Sequence, residues 1–358
     1  MARLINARGT FTPLGVSRSS PGVAAAVAAA LGDFALMADL QAEAGRRLAQ
    51  HAGAEAGTVV HCAAAAITLT VAAVMTGGAP ERVAALPDAR GMPHRVVLPA
   101  GHAVDYGHPI EQAVRLAGAR PVLAGTPEEC GMAALEAALA HPETAALLLV
   151  SSRLTSGPPM DIAAAVGLAH ARGLPVILDG AAQDWRMVEL LGTGADLLIV
   201  SAQKYLAAPT AGLVLGRAPL VAAVQAQERG IGRGMKVSKE ALAGVIAALA
   251  EREALDAQAW RAGQAAKLAA FLERAAALPG VIADAEPDPT GLPFDRARLR
   301  LDPSVAPGLA AALRRGDPTI WTMDDRASLG EIRLELVPLR EDELDLILAR
   351  LGALLAPG

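Results

Sequence analysis

Short apolar runs recur along the first two thirds of the chain, each followed by a stretch patterned for helix. They are Thr58-Val59-Val60-His61, Arg95-Val96-Val97-Leu98, Pro121-Val122-Leu123, Ala146 to Val150, Pro175 to Leu178 and Leu197 to Val200. Brief apolar runs without polar alternation suit strands buried on both faces. Their alternation with helices predicts an α/β fold, a largely parallel sheet covered on both sides. Gly212 to Gly216 follows too closely for a crossover helix and reads as an antiparallel addition. Pro21 to Leu31 and Asp39 to His51 read as helices, Cys62 to Met75 as a buried one, and Thr126-Pro127-Glu128-Glu129 and Asp161 as helix starts.

The pattern changes after the last of these strands. Lys239 to Ala277 reads as one long helix, weakened only near Gly263. Beyond Pro279 come shorter strands at Val281-Ile282, Ala297 to Leu301 and Glu331 to Leu336, helices at Val305 to Arg315 and Glu341 to Leu355, and a Pro/Gly-rich loop from Asp284 to Pro293. The division expected is an irregular N-terminal arm over 1–20, a large α/β domain over 21–255 and a smaller α+β domain over 256–358.

Composition narrows the function. The chain has 358 residues, a formal net charge of -5 and only 3% aromatic residues, so its field repels nucleic acid and it lacks the rings for a single-strand stacking platform. The run Cys62 to Met75 is shorter than the roughly 20 residues needed to span a bilayer, and it carries Thr68 and Thr70. No membrane and no nucleic-acid partner is expected. Cys62 and Cys130 are too few for a disulfide framework, and no leader is readable, so the cytoplasm is the compartment expected. No clustered His and carboxylate motif marks a metal site.

The informative segment is Pro175-Val-Ile-Leu-Asp179-Gly-Ala-Ala-Gln183, followed by Ala195 to Ser201-Ala-Gln-Lys204. An aspartate leaves one buried strand at its C-terminal end, and a lysine lies just beyond the next. In a parallel sheet such ends line one crevice, where ligands bind. The pair suits pyridoxal phosphate: a carboxylate keeps the pyridine nitrogen protonated, and a lysine amine forms the Schiff base that holds the cofactor. Taken singly, Asp179 would as often be a cap and Lys204 a solvated surface charge.

With these residues in place, the chain resembles the selenocysteine synthase-like group of fold type I pyridoxal-phosphate enzymes. The resemblance runs through Ile5 to Pro21, Ala54-Glu-Ala-Gly, Ala63 to Ala66, Leu178-Asp-Gly-Ala-Ala-Gln, Ser201-Ala-Gln-Lys and Ile231-Gly-Arg-Gly-Met-Lys-Val-Ser-Lys-Glu. The chain departs from the group at Ala202-Gln203, where two glycines are common, and at Ala207-Ala208-Pro209, where Gly-Pro is usual. The resemblance implies that the cofactor phosphate sits on the backbone N–H groups of Ala63, Ala64 and Ala65 at a helix N-terminus, with Ser201 adding a hydroxyl. It implies that His102 stacks on the ring and relays protons, and that Gln183 serves the phenolic oxygen. Catalysis would then fall to Lys204, Asp179 and His102. His51, His94, His141 and His170 read as structural.

An acidic substrate needs cations, and the candidates in irregular stretches are Arg8, Arg18, Arg153, Arg233 and Lys236. Arg18 and Arg233 rank first because they lie in the group's own signatures. The reaction expected is α,β-elimination of a β-hydroxy amino acid or a 2-amino sugar acid to a 2-oxo acid and ammonia. Racemisation, aldol cleavage and transamination start from the same chemistry. A tRNA-dependent selenium transfer is the reading from another class; the acidic charge, and a sequence that opens directly on the shared Asn6-Ala-Arg-Gly motif, speak against it. A homodimer or higher homo-oligomer is expected.

Overall fold

The computed structural model describes residues 3 to 356. In chain order its elements are β1 (Leu4–Asn6), α1 (Pro21–Gly32), α2 (Met37–Ala52), β2 (Ala56–Val60), α3 (Ala63–Thr76), α4 (Pro80–Ala85), β3 (Arg95–Pro99), α5 (Ile110–Leu116) and β4 (Arg120–Ala124). There follow α6 (Met132–Leu139), β5 (Thr144–Val150), α7 (Ile162–His170), β6 (Val176–Asp179), α8 (Met187–Leu191), β7 (Leu197–Ser201), β8 (Gly212–Gly216), α9 (Ala218–Ala226) and α10 (Lys239–Ala254). The last are α11 (Ala257–Ala276), β9 (Ile282–Glu286), β10 (Arg296–Arg300), α12 (Ala306–Arg315), β11 (Thr319–Trp321), β12 (Glu331–Leu334) and α13 (Glu341–Leu355). They fall into two compact units, residues 19–253 and, separately, the residues up to Arg18 with those from Ala254 onward.

The larger unit is built on a seven-stranded sheet in the order β2-β8-β7-β6-β5-β3-β4. Pairing is parallel from β4 through β7, while β8 runs antiparallel to both β7 and β2. The strands carry apolar residues on both faces because both faces are covered. In β7, Leu198 and Val200 join the layer containing Leu48, Leu135, Val166 and Leu242, whereas Leu197 and Ile199 join the layer containing Ile67, Val114 and Val221. That alternation is the strand period of two read through a sheet buried on each side. α3 is apolar nearly all round, as a helix packed on every side must be.

The smaller unit pairs β9, β10 and β12 in an antiparallel sheet and β1 with β11 in a parallel ribbon. Its core gathers Phe271, Leu309, Leu313, Ile332 and Ile347. Buried Arg296 bridges Asp288 at 2.6 Å and Glu335 at 3.1 Å.

Four local expectations are corrected. The long helix breaks at Asp256 and not at Gly263, because the Asp256 carboxylate accepts from the N–H groups of Gln258 and Ala259 and starts α11 afresh. Thr126 does not open a helix: its hydroxyl and carbonyl both take the Glu129 N–H in a closed turn, and α6 begins at Met132. Part of the expected loop from Asp284 is strand β9, where Asp284 pairs across the sheet with Arg298 at 2.7 Å. The irregular start contains β1, whose three residues gain their order from β11, a partner far along the chain.

Candidate active site

Asp179 ends β6, and Lys204 follows the end of the adjacent parallel strand β7. Asp179 is buried, and its Oδ1 accepts one backbone N–H, from Ala181 at 3.0 Å. Burial raises its pKa to about 6, against the opposing pull of the Lys204 charge and that N–H. Burial lowers the pKa of Lys204, with Asp179 and Asp184 favouring its charge and Arg153 opposing it. A carboxylate and an amine therefore lie within electrostatic reach of each other, with burial disfavouring the charged form of both.

The lysine loop closes on itself. The Lys204 N–H donates to the Ser201 carbonyl at 3.3 Å, the Ala207 N–H to the Lys204 carbonyl at 3.1 Å, and the Ala208 N–H to the Ala202 carbonyl at 3.0 Å. Within this loop Ala207 takes φ of +54°, in the left-handed region. Ser201 is buried at the strand end beside Gly212.

His102 follows β3 and is 7% exposed. The Val150 N–H donates to its Nδ1 at 3.0 Å, and Val150 is the register partner of Asp179. An Nδ1 that accepts carries no proton, and burial lowers the ring's pKa to about 4. His102 is thus a neutral imidazole with its proton on Nε2, suited to stacking.

At the N-terminus of α3, Cys62 is the capping residue and its sulfur accepts from the Ala65 N–H at 3.4 Å. The N–H groups of Ala63 and Ala64 have no partner among the described residues. β8 passes close beneath: a Cβ on Gly212 would lie 2.4 Å from the Cys62 carbonyl oxygen. Gln183 is buried beyond β6, and its Oε1 accepts from Arg186 at 3.2 Å.

The cationic candidates divide. Arg153, after β5, is exposed and near enough to Lys204 to oppose its charge. Arg233 and Lys236 are exposed in and after a 3-10 turn (Ile231–Met235) and form no ion pair among the described residues. The Met235 carbonyl accepts the His61 N–H at 2.9 Å, which ties this turn to the approach of α3. Arg8 and Arg18 belong to the smaller unit and are already paired. Arg8 bonds Asp324 at 3.1 Å and lies over the Phe11 ring, and Arg18 forks onto Glu343 with two bonds of 2.8 Å. Arg18, ranked first from the sequence, is a structural ion pair here. His170 is structural as expected, bonded to Asp196 at 2.8 Å.

Two groups escaped the sequence reading. The Tyr106 hydroxyl is buried without a hydrogen-bond partner. Burial raises its pKa, and the negative charges of Asp179, Cys62 and Asp105 add to the rise, which places the phenol near both Asp179 and the cap of α3. Asp184 and Arg252 form a buried ion pair beside the lysine loop. The donor set fits pyridoxal phosphate: a buried carboxylate for the ring nitrogen, a desolvated amine for the aldehyde, helix N–H groups with a hydroxyl for the phosphate, and a neutral ring to stack.

No protein-family model matches the chain. It is 36% identical to the D-glucosaminate-6-phosphate ammonia lyase of Salmonella typhimurium over 98% of this chain and 95% of that protein. A solved structure of D-glucosaminate-6-phosphate ammonia-lyase superposes with a TM-score of 0.89, at 36% identity, over 99% of this chain and 96% of the other. A 5'-C-glycyluridine monooxygenase-decarboxylase from Streptomyces is also 36% identical, over 98% of this chain and 90% of that protein. An L-seryl-tRNA(Sec) selenium transferase from Nitratidesulfovibrio vulgaris is 28% identical over 69% of this chain and 55% of its own length.

Proposed function

Since the chain belongs to the family of fold type I pyridoxal-phosphate enzymes that includes D-glucosaminate-6-phosphate ammonia-lyase, we propose that it removes water and ammonia from a 2-amino sugar acid or a related β-hydroxy amino acid. The observation that carries this reading is the placement of Asp179 at the C-terminal end of β6 and of Lys204 just past the end of the adjacent β7, within electrostatic reach of each other. The bound cofactor supplies the electron sink for the carbanion. Lys204, once its amine is displaced by substrate, takes the α-proton, and as an ammonium it is the acid for the departing β-hydroxyl. Asp179 holds the ring nitrogen's proton, and His102 packs the ring as a neutral imidazole. Ala63, Ala64 and Ser201 hold the phosphate, Gln183 lies toward the phenolic oxygen, and Arg153 with Arg233 and Lys236 receives the substrate's anionic groups.

In balance, one water leaves with the hydroxyl, one water enters at hydrolysis, and the products are a 3-deoxy-2-oxo acid and ammonium. The test is incubation of the cofactor-loaded protein with D-glucosaminate 6-phosphate and with unphosphorylated analogues. Ammonium and 2-oxo acid appearing in equal amounts without oxygen support the elimination.

The monooxygenase-decarboxylase is as similar in sequence, so oxidative decarboxylation is the second reading. It consumes oxygen and releases carbon dioxide, and the same incubation in an oxygen electrode separates the two. Selenium transfer has the weaker support of a partial match. Among the described residues no helix is long and apolar enough to cross a membrane. Two unpaired cysteines suit a reducing cytoplasm. Exposed Leu31, Phe34 and Leu36 offer an apolar surface for the homo-oligomer this reading includes.

A further inference from the structure

Arg252 in α10 and Asp184 after β6 meet at 2.9 Å with side chains only 9% and 0% exposed. The same Nη2 donates at 2.8 Å to the carbonyl of Tyr205, the residue after Lys204, and the guanidinium lies 3.8 Å from the centre of the Trp185 ring. Oδ2 of Asp184 is the oxygen that Arg252 uses; Oδ1 is buried with no hydrogen-bond partner. An unpaired buried carboxylate oxygen is costly. Apart from Arg252, the cation that faces Asp184 is Lys204. The charged groups facing Lys204 are Asp179, Arg153 and Asp184.

We propose that Arg252 and Asp184 are positioning residues for the reactive lysine: Arg252 pins the backbone just past Lys204, and the half-neutralised Asp184 carboxylate steadies the Lys204 ammonium once that amine, released by substrate, has taken up a proton. The assignment rests on the reading of Lys204 as the cofactor lysine. Asp179 cannot do both jobs, because in the loaded enzyme its carboxylate is committed to the ring nitrogen. A lysine that has just taken a proton then needs a second acceptor, and a carboxylate already half neutralised by arginine accepts that ammonium without holding it too tightly to return the proton.

The test reads the Lys204 amine in the cofactor-free protein, by the pH dependence of its reductive methylation followed by peptide mass. Asp184→Asn removes a negative charge beside the amine, so the midpoint falls by about one pH unit. Arg252→Gln removes the competing cation, so the midpoint rises. A clamp that merely holds the fold would move both variants in one direction or neither, and either result, with folding confirmed by circular dichroism, overturns the proposal. The Arg252 arm decides alone should Asp184→Asn fail to fold. A wild-type protein that takes up no pyridoxal phosphate would instead sink the functional reading, whatever the midpoints do.

Discussion

His102 receives its hydrogen bond from the backbone of Val150, the residue that pairs in register with Asp179 on the next strand. The sheet itself thus sets the imbalance between the two groups. One stays a neutral acceptor ring, and the other a carboxylate in need of a cation.

The first prediction follows from that neutrality. With its pKa near 4, His102 does not titrate between pH 5 and 8, so kcat/KM carries no limb from this residue there. His102→Phe keeps the stacking surface and most of the turnover. His102→Ala weakens cofactor affinity by about tenfold, the worth of one ring contact. A pH profile of His102→Phe that loses a limb seen in the wild type would show that the imidazole does transfer protons.

Asp179→Asn separates function from stability. Turnover falls on the order of 100-fold or more, since the ring nitrogen loses the charge that keeps it protonated. Without cofactor the variant is the more stable protein at neutral pH. The folded chain holds the Asp179 proton up to about pH 6, whereas the unfolded chain releases it near the ordinary carboxyl value of 3.8. Between those values the folded state binds more protons, so this group's contribution falls as pH rises and costs about 3 kcal/mol above pH 6. Thermal melts of the cofactor-free proteins at pH 4 to 8 should show a decline in the wild type that the variant lacks.

The pair Asp179 and Lys204 was legible because strand ends and loops are local features. So was the antiparallel β8, too close to β7 for a crossover. What escaped depends on partners distant in sequence. Nothing near Asp184 announces Arg252, nothing near β1 announces β11, and nothing local shows that the Tyr106 hydroxyl turns inward. The ion pair of Arg18 was hidden for the same reason, since its carboxylate partner Glu343 lies at the far end of the chain. The contact of the Ala65 N–H with the Cys62 sulfur was not legible either, because a cysteine sulfur is an uncommon cap.

The lysine loop offers a stability test. Ala207 sits at φ of +54°, a conformation that costs an L-residue about 1–2 kcal/mol and glycine almost none. Glycine's greater freedom in the unfolded chain returns part of that gain. Ala207→Gly should therefore stabilise the protein by about 0.5–1 kcal/mol in urea unfolding, with cofactor uptake unchanged. A destabilised variant would mean that the Ala207 methyl packs more tightly than its backbone is strained.

The last prediction concerns Tyr106. Its hydroxyl is buried, unpartnered and close to both Asp179 and the α3 cap, the two groups expected to hold opposite ends of the cofactor. A buried hydroxyl without a partner costs about 1–3 kcal/mol, so Tyr106→Phe should raise the melting temperature of the cofactor-free protein. Saturating pyridoxal phosphate stabilises whichever protein binds it more tightly. If the hydroxyl donates to the cofactor, the wild type gains more from it, and the advantage of Tyr106→Phe shrinks or reverses. Melting both proteins with and without cofactor gives four temperatures, and the difference of differences reads the bond directly. An equal cofactor shift in the two would show that the Tyr106 hydroxyl plays no part in holding it.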